Sequence, residues 1–216
     1  SKLGEEIEDA LNAYQYENLS KGIAKDLLEK FQLKHIKPIE KLMQKMFKDG
    51  VTYNETQRYL KARHIVDDNI EEGGIPIKEA RNIIRDFKKK VNWEDVAALE
   101  KLTQDINQYI LQRNFETGLI SKETLDKYQS QYKFYVPLRG FANAMEFDST
   151  VYTKDVVRKG RESESGDPLP YLYAMAQTAI QKGQQNLVKQ RFLNFVKEVP
   201  DSRLYSIKSV WYANIN

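Results

Sequence analysis

Hydrophobic residues recur every three or four positions along most of this chain, the spacing that places side chains on one face of an α-helix. The clearest stripe follows Asn92, a good helix-capping residue, and ends before Gly118. It consists of Val96, Leu99, Leu102, Ile106, Tyr109 and Ile110. The sequence therefore predicts a long amphipathic helix over residues 93–117, capped by Asn92 and terminated by the glycine.

The first fifty residues show the same period in two stretches. A short helix is predicted over residues 3–16, and a longer one over residues 19–47 ends before Gly50. Pro38 lies inside the second helix and removes one backbone hydrogen-bond donor. We therefore expect a kink or a break near Lys37.

Helix start signals predict four further helices. The capping-box spacing of Thr52 and Glu55 starts the first, and Pro76 suits the opening turn of the second. Asp167 is placed to cap the last, which Pro168 would open. The predicted ranges of the four are residues 52–72, 76–87, 121–131 and 168–196.

Residues 132–152 lack a helical period and are rich in aromatic side chains. Pro137 and Gly140 interrupt them, so we expect an extended segment over residues 135–141 that is pinned by its side chains. Residues 159–167 form the most loop-like stretch of the chain. Residues 202–212 fit either a short C-terminal strand or an extended tail, because their apolar positions do not alternate cleanly.

The predicted fold class is all-α, an irregular multi-helix domain with long helices and one extended aromatic segment. Its parts are an N-terminal helical part (1–131), an extended and loop segment (132–167), and a C-terminal long helix with a tail (168–216). We expect these parts to form one structural domain. Because the chain begins at Ser1 and ends without a helix stop, we also expect it to be a piece of a larger protein.

Composition narrows the functional classes. Apolar residues make up 41 % of the chain and charged residues 30 %, so a core can be buried and the chain is not disordered. The net charge of +3 is too small for a basic footprint over the whole surface. No apolar run approaches the roughly 18–20 residues that cross a bilayer, so no membrane partner is expected. The absence of Cys excludes disulfides, thiolate catalysis and cysteine-based zinc sites.

The metal-ligating residue types are few. The chain has two histidines, His35 and His64, and Asp67 and Asp68 follow the second. His64 and Asp68 could share a helix face and hold a metal with a third ligand, but such sites need more convergent ligands than the sequence offers. His35 lies on an apolar stripe, where a hydrogen-bonded core histidine is the ordinary outcome. We predict no metal site and no cofactor.

Catalytic motifs are missing as well. No nucleophile motif of the G-x-S-x-G or S-x-x-K type occurs, and Ser163 and Ser165 lie in an acidic loop without a nearby histidine. Gly73-Gly74 precedes Pro76 rather than a Lys-Ser/Thr pair, so it is not a phosphate-binding loop. The sequence predicts no catalytic residue, and we expect the chain not to be an enzyme.

A row of lysines is the strongest charge pattern. Six lysines recur at helical spacing, so an unbroken helix would place them in one line opposite Ile36, Ile39, Met43 and Phe47. This lysine row consists of Lys30, Lys34, Lys37, Lys41, Lys45 and Lys48. It could follow the phosphates of nucleic acid, whose binding would then depend on salt. The simpler interpretation, which we favour, is the solvated side of an amphipathic helix.

Two arginines and a group of aromatic residues could likewise either bind a ligand or support the fold. Arg139 and Arg161 lie in irregular, glycine-containing segments, where a guanidinium can grip an anion or anchor its own loop. We favour the anchor, since irregular segments need partners for their backbone groups. The aromatic group could stack on bases, but more often such a group fills a helical core. Its members are Tyr128, Tyr132, Phe134, Tyr135 and Phe141.

Three segments in this order resemble a recurring helical region of large polyvalent proteins from bacteriophages and conjugative elements, including the defence-against-restriction type. They are residues 59–64 (YLKARH), residues 115–121 (FETGLIS) and residues 132–141 (YKFYVPLRGF). Residues 159–163 and 168–170, followed by a Gln- and Lys-rich helix, extend the similarity, which covers most of the chain from about residue 19. The segment YVPLRGF is its most specific element.

The resemblance implies a module that lies beside enzymatic units and has no catalytic motif of its own. Some such proteins are packaged in the virion and enter the new cell with the DNA, so the expected location is the virion or the host cytoplasm. The leading hypothesis is therefore a binding module that contacts DNA, other modules of its parent protein or virion proteins, during DNA delivery or protection. The alternatives are a scaffold or virion-assembly spacer, and part of an enzyme whose site is completed elsewhere.

Overall fold

The computed structural model describes residues 2–69, 74–131, 134–137 and 166–198, and the side chains of these residues except 2–14 and 131. These residues are predominantly helical, which confirms the all-α class. The helices are α1 (Lys2–Phe31), α2 (Lys37–Lys48), α3 (Tyr53–Asp68), α4 (Ile77–Lys90), α5 (Trp93–Glu116), α6 (Lys122–Gln131) and α7 (Pro168–Glu198). A π-helical segment (Gln32–Ile36) joins α1 to α2.

The first part of the chain is one continuous helical stretch, so the prediction of two separate helices before Pro38 is wrong. The expected irregularity near Lys37 is confirmed, but it is a π-helical turn rather than a break. Lys37 donates its N–H to the carbonyl of Gln32, five residues earlier. The ring of Pro38 would clash with a carbonyl of a regular α-helix, and a wider turn just before the proline relieves that crowding.

The π turn also keeps the buried side of this stretch in line. Phe31, His35, Ile39 and Met43 are all buried and follow one another at intervals of four. In a regular α-helix, four residues rotate the side-chain direction by about 40° more than a full turn. After three such steps, Met43 would point about 120° away from the direction of Phe31. A turn that contains an extra residue takes up most of this drift, and the four side chains stay on the same face.

The helix boundaries follow local capping chemistry. Thr52 and Glu55 form the predicted capping box at the start of α3. This helix ends earlier than predicted, because Asn69 adopts the left-handed conformation with φ of 52°. Pro76 precedes the first turn of α4 instead of lying in it, and that helix continues to Lys90, past the predicted end at Phe87.

The helix predicted most clearly from the hydrophobic stripe, α5, begins after the Asn92 cap as expected. The side-chain oxygen of Asn92 accepts the N–H of Asp95 at 2.8 Å. Gly118 has φ of 71°, a conformation that costs a glycine little, and it follows the C-cap residue Thr117. This end of α5 therefore matches the predicted glycine stop.

The helices share one apolar core. α3 packs on α4, while α7 packs against both α1 and α5. The largest fully buried side chains come from α1, α2, α3, α5 and the first half of α7. They include Phe31, Ile39, Met46, Tyr59, Leu60, Ile65, Leu99, Ile106, Ile110, Leu169, Leu172 and Ile180. Residues from the predicted first and third parts of the chain therefore pack into a single core.

The start of the predicted extended segment is visible at residues 134–137, which are not helical and lie against α3 and α5. Phe134 and Val136 are buried there. All of residues 138–165, with Arg139, Phe141, Arg161, Ser163 and Ser165, lie outside the described residues. So do Tyr132 and the stretch 202–212, for which a strand or a tail was predicted.

Candidate nucleic-acid interface

All six lysines of the predicted row are exposed. Four of them, called here the α2 lysines, are Lys37, Lys41, Lys45 and Lys48. At 100° per residue these four lie within an arc of about 80° on α2. On the other side of the helix Ile39 and Met43 are buried and Ile36 is half-buried, whereas Phe47 is 42 % exposed, contrary to the predicted apolar face.

The π turn divides the predicted row. Lys30 precedes the turn and Lys34 lies within it, whereas the α2 lysines follow it. Because the turn contains one residue more than an α-helical turn, the α2 lysines are rotated back by roughly 100° relative to the line that Lys30 would start. The structure thus keeps the buried residues in one line and breaks the lysines into two groups.

Two lysines of the row form ion pairs. Lys30 contacts Asp26 of the same helix at 2.7 Å, and both side chains are more than half exposed. Lys45 contacts Asp95 of α5 at 2.8 Å, and the Asp95 side chain is only 8 % exposed. The hydrogen bond to Asp95 raises the pKa of Lys45 above its usual value. Within the described parts of the chain, the other lysines of the row make no ion pair.

The Lys45–Asp95 pair also defines how α2 and α5 lie together. His35, in the π turn, contacts the ring of Tyr109 with a centroid distance of 5.3 Å. Lys45 lies ten residues after His35, whereas its partner Asp95 lies fourteen residues before Tyr109, the partner of His35. The two helices therefore run antiparallel. This arrangement brings the end of α2, at Lys48, level with the first turn of α5.

Trp93 is the first residue of α5 and is 77 % exposed, the largest value among the exposed large hydrophobic side chains described. Only Val91 and Asn92 separate it from the last turn of α4, which carries Lys88, Lys89 and Lys90. Sequence reasoning missed this tryptophan. The available signal was a tryptophan directly after a helix cap, where its side chain can point away from the core stripe.

The lysines near Trp93 differ in how firmly they are engaged. Lys90 is hydrogen-bonded to Glu55 of α3, and this bond lowers the pKa of Glu55 to about 2. Lys89 lies 3.4 Å from Asp86 in an exposed pair, which holds a lysine only weakly. Lys48 and Lys88 make no ion pair with any residue in the described ranges.

His35 is a core histidine, as predicted. It is 6 % exposed and packs on Phe31 at a ring-centroid distance of 5.2 Å and on Tyr109. Burial lowers the pKa of His35, the nearby charge of Lys34 lowers it further, and Asp105 opposes them. Its Nε2 atom has no hydrogen-bond partner among the described residues.

His64 makes its contacts within the protein rather than with a metal ligand set. It is 1 % exposed, and its Nδ1 atom lies 3.2 Å from the carbonyl oxygen of Phe134 and 3.5 Å from a carboxylate oxygen of Asp68. A carbonyl can only accept, so this geometry assigns the proton to Nδ1. Among the described residues no group of three or more His, Asp or Glu side chains is placed to hold a metal ion.

The extended segment is held by the side chains of α5 as well. Asn107 donates to the carbonyl oxygen of Tyr135, and Gln104 meets both backbone groups of that residue, at 3.4 and 3.5 Å. The amide of Gln104 thus pairs with Tyr135 as a neighbouring β-strand would. His64 completes these contacts from α3.

A partly buried charge cluster lies beside this segment. Arg63 contacts Asp67 at 2.7 Å and Glu100 at 3.0 Å, and its guanidinium lies 5.4 Å from the ring centroid of Phe134. The hydroxyl of Tyr59 also donates to Glu100, and burial together with this carboxylate raises the pKa of Tyr59. Every charge in the cluster has a partner, which is the arrangement of a structural network.

Comparisons with known proteins found no matching family, no similar curated protein and no similar solved structure. A search of the described helices for a segment long and apolar enough to span a bilayer found none.

Proposed function

We propose that this chain is a non-catalytic helical module that binds nucleic acid through the α2 lysines. The observation that carries this proposal is the position of these lysines on α2. Four exposed lysines lie on one side of a helix whose other side is packed into the core, so they are held on a firm support. Lys45 pairs with Asp95, and the other three make no ion pair among the described residues. A row of lysines on a rigid helix can neutralise successive phosphates at little cost in backbone ordering.

The polar interior supports binding rather than catalysis. His64, Gln104 and Asn107 hold the backbone of residues 134 and 135. Arg63 and Glu100 hold each other. A group that activates a substrate needs access to it as well as a shifted pKa, and these side chains are engaged in the fold.

The resemblance to polyvalent proteins suggests a biological setting for such a module. We propose that the parent is a protein of a bacteriophage or mobile element, carried in the virion or acting in the host cytoplasm. The module would then contact DNA during its delivery or its protection from restriction.

Fluorescence anisotropy with a labelled duplex at low salt tests nucleic-acid binding. The variant should combine Lys37→Gln, Lys41→Gln and Lys48→Gln, and it should leave Lys45 in place because this residue pairs with the buried Asp95. We expect weaker binding and a slope of log K against log salt that is smaller by up to about 3.

A matched control removes the same charge elsewhere. Lys78, Lys122 and Lys189 are exposed on α4, α6 and α7, and their replacement by glutamine changes the net charge equally. If the control triple weakens binding as much as the α2 triple, the interaction follows total charge and the proposed site is wrong. Absence of any binding at tens of micromolar protein would reject the function itself.

A second candidate function, protein scaffolding, is favoured by an exposed apolar surface on α1 and α7. Leu19 is 61 % exposed and Phe192 is 57 % exposed, and Leu193 is also exposed. The ring of Tyr16 against the guanidinium of Arg191, 3.5 Å from the ring centroid, brings these two helix stretches together. Exposed apolar surface of this kind is typical of protein-binding sites.

Light scattering and co-purification with the remaining segments of the parent protein test this second candidate. Phe192→Ser with Leu193→Ser should abolish the association while the α2 lysine triple leaves it unchanged. An association that depends on the lysines instead would contradict it.

A further inference from the structure

Trp93 is an exposed aromatic ring without an obvious structural role. It opens α5, yet the cap of this helix is made by Asn92, and the first buried residue of the helix is Asp95. An indole that is 77 % exposed contributes little to the core. Such a ring is available to stack on another planar group.

Two neighbouring helices carry lysines at the level of Trp93 along the axis of α5. The last turn of α4 carries Lys88–Lys90, and the α-carbon of Lys90 cannot lie more than about 11 Å from that of Trp93. The antiparallel packing of α2 on α5 brings Lys48 level with the first turn of α5. The salt bridge between Lys45 and Asp95 fixes this register two residues from the tryptophan.

Acidic side chains are present as well. Two of them are paired with a lysine, and a third is exposed to solvent. Asp95 is buried and engaged by Lys45 and Asn92, and Glu55 is engaged by Lys90. Glu94, directly after the tryptophan, is exposed. This carboxylate should weaken the attraction of a phosphate backbone, which makes it a useful position for a test.

We infer that Trp93 is a stacking platform for the bases of single-stranded nucleic acid, whose phosphates Lys48, Lys88 and Lys89 contact. In a duplex the bases are stacked on one another and their faces are not accessible to a side chain. An exposed indole at the level of these lysines therefore recognises a single strand, where each base presents a free face. This inference rests on the proposed function, because the α2 lysines continue the same path away from Trp93.

The first test follows the fluorescence of Trp93 itself. The chain has two tryptophans, so Trp211→Phe in the full chain leaves Trp93 as the only indole. Titration with an oligothymidine of about 15 nucleotides should quench its emission, whereas the matched duplex should quench it much less. Unchanged emission at saturating oligothymidine would overturn the inference.

The second test compares affinities by anisotropy at low salt. We expect Trp93→Ala to weaken oligothymidine binding by about 5- to 100-fold and to leave duplex binding unchanged. Trp93→Phe keeps an aromatic face and should lose less, and Glu94→Gln should tighten binding of both nucleic acids. Phe192→Ala removes another exposed aromatic ring, on α7, and should have no effect.

The outcomes separate this inference from the proposed function. If the α2 lysine triple weakens binding but Trp93→Ala does not, the lysines bind nucleic acid and the stacking platform is wrong. If neither nucleic acid binds at tens of micromolar protein, both are wrong. If Trp93→Ala weakens single-strand and duplex binding equally, the ring does not read free bases and the inference is overturned.

Discussion

Gly183 of α7 lies directly against Thr117, the residue that ends α5. A β-carbon at position 183 would lie 2.8 Å from the methyl carbon of Thr117 and 2.9 Å from its hydroxyl oxygen. Thr117 cannot easily move away, because its hydroxyl donates to the carbonyl of Arg113 at 2.8 Å. Asn186 of α7 donates to the backbone oxygen of Thr117, also at 2.8 Å. The absence of a side chain at Gly183 therefore sets the distance between these two helices.

The first prediction concerns this contact. Gly183→Ala should destabilise the fold by about 1–3 kcal/mol, because the added methyl group must displace a residue fixed at a helix end. Urea unfolding measures the change. Gly22 in α1 is the matched control, since a β-carbon there would meet nothing within 4 Å beyond its chain neighbours and the backbone of its own helix. Gly22→Ala should stabilise the protein by about 0.5–1 kcal/mol, and equal effects of the same sign at both sites would contradict the packing argument.

The second prediction concerns the pair of Lys45 and Asp95. Lys45→Met should destabilise the protein, because it removes the cation that pairs with the largely buried Asp95 carboxylate and leaves Asn92 as its hydrogen-bond partner. Adding Asp95→Asn should recover part of this loss. A double-mutant cycle from denaturant unfolding measures the coupling, and Lys41→Met serves as the exposed control. A coupling energy near zero would show that the pair is not engaged in solution.

The third prediction concerns His35 and pH. The folded-state pKa of this buried imidazole lies below the value of about 6.5 in an unfolded chain, so the unfolded chain binds the proton more readily. The stabilisation is therefore complete above about pH 6.5 and is lost as the pH falls towards the folded-state pKa, by at most about 1.4 kcal/mol per pH unit.

Chemical unfolding between pH 5 and pH 8 checks this dependence. His35→Phe keeps an aromatic ring between Phe31 and Tyr109 and removes the titratable group. The difference in unfolding free energy between the two proteins should change with pH only below about 6.5. A constant difference over the whole range would show that His35 is not protected from protonation.

The fourth prediction concerns the extended segment that begins at Phe134. Gln104→Ala removes the side chain that meets both backbone groups of Tyr135, and Asn107→Ala removes a second donor to the same oxygen. We expect the Tyr135 amide to exchange with solvent faster in the Gln104 variant, while the amides within α5 keep their protection. Hydrogen exchange read by mass spectrometry measures this. Gln112→Ala on the exposed side of α5 should leave Tyr135 unchanged.

Local signals in the sequence were enough to predict the helices. The stripe from Val96 to Ile110, the capping box at Thr52 and the stop at Gly118 act within one or two turns, so the structure agrees with them. The break predicted between residues 16 and 19 was wrong because no proline or positive-φ residue interrupts the backbone there. The irregularity at Pro38 was predictable, since it follows from a missing donor and a steric clash.

The interior roles of polar residues depended on neighbours far away in the chain. His64 meets Phe134 seventy residues later, and Gln57 accepts the backbone N–H of Leu169 at 3.1 Å near the start of α7. The three-to-four-residue spacing of hydrophobic positions identifies such residues only as polar positions on a helix. Whether they face water or another segment is decided by the packing of helices that are remote in sequence.

What the sequence determined by itself was the all-α class, most of the helix ends and the group of lysines on α2, because helix period and capping act over a few residues. Only the tertiary structure decided that the π turn divides the lysine row, that Lys45 is tied to Asp95, and that Trp93 stands exposed at the level of the end of α2. These relationships arise where α2 and α5 pack together. Their register is set by side chains fifty residues or more apart, which no local pattern encodes.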